Sequence, residues 1–157
     1  MTTIDRTTTT STTGNRAVRI VGILGLVAGL VMILAGAVTW ATVSSQLSAQ
    51  NITVSEDAAF LGGDVVDGPF SAYAQAQIID EHALAATDGL TYAELDREDP
   101  LRDTAMNASF LRASLFTSVV AYGVSALVIG LGVVVGVFGW SLRSLAAEPA
   151  AKPAATA

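Results

Sequence analysis

Residues 115–140 read LFTSVVAYGVSALVIGLGVVVGVFGW, 26 residues without a charged side chain. A bilayer core of about 30 Å is crossed by a helix of roughly 20 apolar residues, so this run is long enough to span. Residues 20–43, IVGILGLVAGLVMILAGAVTWATV, form a second uncharged run of 24 residues. The pair predicts an all-α membrane protein: two transmembrane helices, residues 20–43 and 113–140, in an antiparallel hairpin. A partly helical extracytoplasmic loop, residues 44–112, joins them. Residues 1–19 form an amino-terminal arm and residues 141–157 a tail.

The charges supply the orientation. The chain carries a net charge of -6, yet the arm is +2 (Arg6, Arg16 and Arg19 against Asp5) and the tail is +1. Between the runs, Arg97, Arg102 and Arg112 face 12 carboxylates, making that segment -9. Positively charged flanks stay on the cytoplasmic side, which predicts a multi-pass cell-membrane protein with both termini cytoplasmic and the acidic segment outside. The cationic flanks are too sparse for nucleic acid, and the acidic segment would repel phosphate. The absence of cysteine excludes disulfides, thiolate catalysis and cysteine-ligated metals.

The arm contains eight threonines within residues 1–16 and almost no large apolar side chain, a composition that predicts disorder. Arg16 and Arg19 before an apolar run also resemble a secretory signal. The run exceeds the 7–15 residues of a signal core, which favours a retained anchor. A cleavage context at Leu47-Ser48-Ala49 keeps removal of the first span as the alternative.

Thr53-Val54-Ser55-Glu56 has capping-box spacing and predicts a short helix through Leu61, interrupted by Gly62-Gly63. Residues 70–87, FSAYAQAQIIDEHALAAT, predict a packed helix after Gly68-Pro69, with a stripe of Ala72, Ala76, Ile79, Ala83 and Ala86. Asp88-Gly89 ends it. Thr91-Tyr92-Ala93-Glu94 is a second capping box, predicting a turn that includes Leu95. Asp99-Pro100 starts a helix running through residue 140. Its exposed part carries Arg102, Asp103 and Arg112, and offers Met106, Phe110 and Leu115 for apolar contact. The tail from Ala146 is alanine- and proline-rich, which predicts flexibility.

Gly25 and Gly29 form GxxxG, as do Gly132 and Gly136, with Gly22, Gly36, Gly130 and Gly139 nearby. Small residues at this spacing let helix backbones approach closely, so these four are assigned to helix packing. Ser118, Tyr122 and Ser125 satisfy their polarity locally or across a helix. Neither run holds a charge, which argues against a conducting pathway.

His82 is the only histidine and adjoins Asp80 and Glu81. Adjacent helical positions diverge, and a non-haem iron site uses two histidines and a carboxylate. His82 therefore reads as solvated or structurally bonded. The carboxylates at 94, 96, 98 and 99 lack the spacing of a calcium loop. No catalytic residue, cofactor site or metal site is assigned, and the chain reads as a non-enzyme.

The segments GPFSAYAQAQIIDEHAL, DGLTYAELDREDPLRD and NASFLRASLFTSVVAYG together resemble a family of small actinobacterial two-span membrane proteins, across residues 18–143. Some members are labelled aromatic ring-opening dioxygenases. The resemblance implies an envelope protein and carries no catalytic residues to this chain. The resulting expectation is a noncatalytic accessory or scaffold subunit of a bacterial cell-membrane assembly, whose partners are the lipid bilayer and other membrane-protein subunits. The alternative is an independent envelope sensor that binds a ligand, its small molecule unspecified.

Overall fold

A computed structural model describes residues 12–147. The disorder expected of residues 1–11 and of the tail from residue 148 lies outside the described residues. The fold is all-helical: α1 covers Thr12–Ser48, α2 Pro69–Ala86 and α3 Arg102–Leu145. Helices α1 and α3 are long and apolar enough to cross a membrane. Both overrun their apolar runs. Residues 12–19, assigned by composition to the disordered arm, belong to α1, and α3 continues past Trp140 to Leu145. Extending a formed helix costs far less than nucleating one, so polar flanks are drawn into helices that the apolar runs secure.

The chain divides into two compact units. The described part of the first comprises residues 12–35 and 128–147. Its glycines meet backbone to backbone, while Leu24, Leu30, Leu34, Val133, Val137 and Phe138 are each at least half exposed. A helix that is apolar on all sides and uncovered by protein needs an apolar surrounding.

The second unit, Gly36–Leu127, is the lobe that holds the candidate site. Its core gathers Leu47 from α1, Val54 and Val66 from the following loop, Ala72, Ala74 and Ala76 from α2, and Leu115 and Tyr122 from α3. Alanines at the centre allow α2 to lie close against its neighbours. The expected stripe is partly displaced: Ser71, Ala72, Ala74, Ala76 and Ile78 are the buried residues of α2, whereas Ala86 is exposed. Of the residues expected as contacts of α3, Leu115 is buried whereas Phe110 is 67% exposed, and Ala105 is buried as well.

The expected helix from Thr53 to Leu61 is absent. Thr53 instead forms an antiparallel bridge with Val65. The Val54 amide donates to the Asp64 carbonyl, the Val66 amide to Ile52 and the Gly63 amide to Val54, while the Ser55 amide donates to Gln75 Oε1 of α2. Gly62 and Gly63 make the fold-back possible. A Cβ at Gly62 would stand 2.8 Å from the Glu56 carbonyl oxygen, and Gly63 has a φ of +80°, a conformation most readily adopted by glycine. Long-range bonds thus take the Val54 and Ser55 amides in place of a helical turn.

The second box forms its glutamate half and the expected turn, with the Glu94 amide donating to the Thr91 carbonyl rather than to the hydroxyl. The Thr91 amide and hydroxyl both donate to Glu94 Oε2, at 2.8 and 2.7 Å, and the Leu95 amide returns to the Thr91 carbonyl. At the end of α2, Gly89 donates to Leu84, with Asp88 and Gly89 at positive φ. This six-to-one bond closes the helix. The Asp99 carboxylate accepts from the Leu101 amide at 2.7 Å, three residues before Arg102 opens α3.

Candidate functional site

The four glycines assigned to packing lie in the first unit, and they are not equivalent. A Cβ on Gly29 would stand 2.5 Å from the Gly132 carbonyl oxygen and 2.8 Å from the Gly136 nitrogen. On Gly132 it would stand 2.7 Å from the Gly29 oxygen, and on Gly25 3.1 Å from Gly139 Cα. On Gly136 it would meet nothing within 4 Å. Gly136 lends its backbone to the contact while its missing side chain faces outward. Gly22 and Gly139, outside the two GxxxG motifs, approach as closely: a Cβ on Gly139 would lie 2.6 Å from the Leu26 nitrogen and 2.7 Å from the Gly22 oxygen. Their spacing around Gly25 and Gly136 was the available signal.

In the lobe, the Tyr122 hydroxyl makes two long-range hydrogen bonds. Tyr122 is 1% exposed. Its hydroxyl donates to the Asp67 carbonyl at 2.8 Å and therefore accepts from the Ser44 hydroxyl, also at 2.8 Å. Its ring packs edge-on against Trp40, with centroids 4.7 Å apart. One phenol thus joins α1, α3 and the loop before α2. Ser118 and Ser125 instead donate to carbonyls four residues back, at Ser114 and Ala121. Of the three polar residues singled out in the second run, only Tyr122 bonds across elements.

Beside this junction lies a cavity of about 500 Å³ bounded by the end of α1, α2 and α3, within the roughly 300–1,000 Å³ range of ligand pockets. Val43, Leu47 and Leu115 supply apolar walls; Gln46, Gln50 and Gln75 supply amides. The lining carries no ionisable side chain and no histidine. Such a surface can bind an amphiphile through dispersion and neutral hydrogen bonds, the hydroxyls of Ser114, Thr117 and Ser118 included.

The ionisable groups lie elsewhere on the lobe. His82 Nε2 donates to Asp57 Oδ2 at 2.7 Å, while Asp80 pairs with Arg112 at 3.1 Å. The three adjacent residues 80–82 thus diverge. Among the described residues, no three histidine, aspartate or glutamate side chains are gathered as a metal site. Arg102 donates to the Leu95 carbonyl at 2.6 Å and lies over the Tyr92 ring, tying the acidic connector to α3.

The hydrogen bond from His82 holds the Asp57 carboxyl below its usual range, and the bonds from the Thr91 amide and hydroxyl do the same for Glu94. A carboxylate depressed in the folded state adds stability above its unfolded pKa of about 4, and the contribution is lost as pH falls through the lower folded value. The pair is exposed, so its effect belongs in a titration rather than in global stability. His82→Ala should raise the Asp57 pKa toward the ordinary carboxylate value in a carboxyl-detected NMR titration. An unchanged Asp57 titration would show that the bond does not persist in solution.

No protein-family model, curated protein or solved structure matches this chain.

Proposed function

We propose that the chain is a noncatalytic two-span envelope protein whose lobe serves as an accessory or scaffold module of a membrane assembly. The two spans form an antiparallel hairpin, with both termini cytoplasmic and the lobe outside. Its support is the progression of glycine contacts: Gly22 faces Gly139, and Gly29 faces Gly132. The helix from Tyr122 to Trp140 rises about 27 Å, close to the thickness of a hydrocarbon core. Arg16, Arg19 and Arg143 collect at the cytoplasmic end, where the positive-inside rule puts them.

The observation that carries the scaffold reading is the Tyr122 junction. Within the lobe, one buried phenol ties the end of α1, the lobe's part of α3 and the loop before α2 into one structured surface. The inward glycine faces are occupied within the chain, so contacts with other subunits fall to the lobe and to outward faces such as that of Gly136. Native-detergent purification followed by crosslinking mass spectrometry should recover reproducible crosslinks from the lobe to other membrane proteins. Recovery as a lone monomer in several mild detergents, without such crosslinks, overturns the reading. A reporter inserted at Gly89 should be accessible from outside sealed cells and one at Thr8 should not; the reverse pattern refutes the topology. A mature chain starting near Gln50 would establish signal cleavage and a single anchor.

The cavity favours a second reading, an envelope sensor or carrier that binds a small amphiphile. Saturable thermal stabilisation of the protein in nanodiscs by a member of a neutral-amphiphile panel supports it. Uniformly null shifts and null direct binding across that panel remove it.

A further inference from the structure

The loop that precedes α2 and the first turn of α2 carry exposed apolar side chains. Phe70 is 73% exposed and Val65 51%, and Phe60, Leu61 and Tyr73 are each around 40% exposed. Their outward pose is fixed by the backbone. Val66 is fully buried and its amide is bonded to Ile52, so Val65 on the opposite side of the extended chain points out. Tyr73 is held between the Phe60 ring, 6.4 Å away, and the Phe116 ring of α3, 5.8 Å away. In water, these side chains would form a costly contiguous apolar patch.

The Tyr122 junction sets the height of that patch. Asp67, between Val65 and Phe70, is bonded through its carbonyl to a tyrosine inside the second apolar run. The same tyrosine meets Ser44, the first residue after the first apolar run, and packs on Trp40. Tryptophan near the end of an apolar run marks the membrane–water boundary, and Trp40 lies three residues before the end of the first run. The patch is thus pinned where hydrocarbon gives way to headgroups.

We propose that residues 60–73 form an interfacial foot that is immersed in the outer boundary of the bilayer. Phe60, Leu61, Val65 and Phe70 enter the acyl–headgroup zone. The occupant of the patch is lipid. Asp64 and Asp67 limit the depth, because a carboxylate is costly to carry into hydrocarbon. The foot resists tilting of the lobe and adds a third contact with the bilayer beside the two spans. This inference rests on the two-span reading, and its test separates the two.

The chain contains no cysteine, so single-cysteine variants of the full-length protein can be labelled without background. Val65→Cys, Phe70→Cys, Arg97→Cys and Leu127→Cys are each coupled to an environment-sensitive nitrobenzoxadiazole dye. The proteins are reconstituted into vesicles of phosphatidylcholine and phosphatidylglycerol. Lipids bearing a doxyl group close to the headgroup should remove most of the emission at residues 65 and 70, with a blue shift relative to residue 97. The Leu127 label should be quenched by a deeper doxyl group, and the Arg97 label by neither. If residues 65 and 70 match residue 97 while residue 127 is quenched, the chain spans and the foot is wrong. If residue 127 also escapes quenching, the spanning reading and the foot both fall.

Discussion

Tyr122→Phe is expected to destabilise the lobe by about 1–3 kcal/mol, the cost of leaving a buried polar group without its partner. The phenylalanine ring preserves the edge-on contact with Trp40 but provides neither a donor for the Asp67 carbonyl nor an acceptor for Ser44. Tyr122→Ala adds a cavity at a fully buried position and should cost about 3–5 kcal/mol, in line with other buried aromatic truncations. Ser44→Ala should cost less than Tyr122→Phe, because the Asp67 carbonyl keeps its donor. Thermal unfolding in a mild detergent, followed by near-ultraviolet circular dichroism, ranks the three variants. A Tyr122→Phe protein as stable as the parent would show that solvent or a rearranged loop satisfies Asp67, and the height argument for the foot would lose its anchor.

How much of this was legible beforehand depends on how far each determinant reaches along the chain. The apolar runs could be read because a charge-free stretch of membrane length needs no partner to be recognised. Helix ends set by adjacent residues were also legible: Gly68 caps α2 and Pro69 opens it, Asp88-Gly89 follows it, and Asp99-Pro100 precedes α3. Two boxes with the same spacing then diverged. Thr91 and Glu94 form their local bonds, whereas in Thr53–Glu56 the Val54 amide goes to the Asp64 carbonyl and the Ser55 amide to Gln75 Oε1. Nothing within the four residues signals that competition.

The partners of Tyr122 are 55 and 78 residues away. Its position alone could indicate that a bond must exist, since a buried phenol seeks one, but not where. The two GxxxG motifs were legible as candidate contacts. Which side of each glycine meets the opposing helix is a matter of rotation about the helix axis, and the motif does not encode it.

That rotation yields the second large effect. Leucine at Gly29 or Gly139 should force the two helices apart, while leucine at Gly130 or Gly136 should leave the hairpin closed. At Gly29 and Gly139 the new Cβ would lie 2.5–2.6 Å from opposing backbone atoms, whereas at Gly130 and Gly136 it meets nothing within 4 Å. A backbone atom cannot rotate aside as a side chain can, so the cost should reach or exceed the roughly 1–3 kcal/mol typical of overpacked cores. All four substitutions raise apolarity and replace a residue whose helix propensity is about 0.8–1.0 kcal/mol poorer than that of alanine, so insertion and helix content should hold. Spin labels on cysteines introduced at Arg19 and Ser144 report the separation of the two helix ends by pulsed electron resonance. A longer, broader distance distribution for Gly29→Leu and Gly139→Leu, with parental distributions for Gly130→Leu and Gly136→Leu, is the expected pattern. Equal behaviour of all four would refute the assigned rotation. Gly136→Leu carries one further meaning, because its outward side lines a groove of about 350 Å³ with Leu30 and Val133. If that variant keeps its hairpin yet loses co-purifying proteins, the groove receives a partner helix, and the scaffold role extends into the membrane.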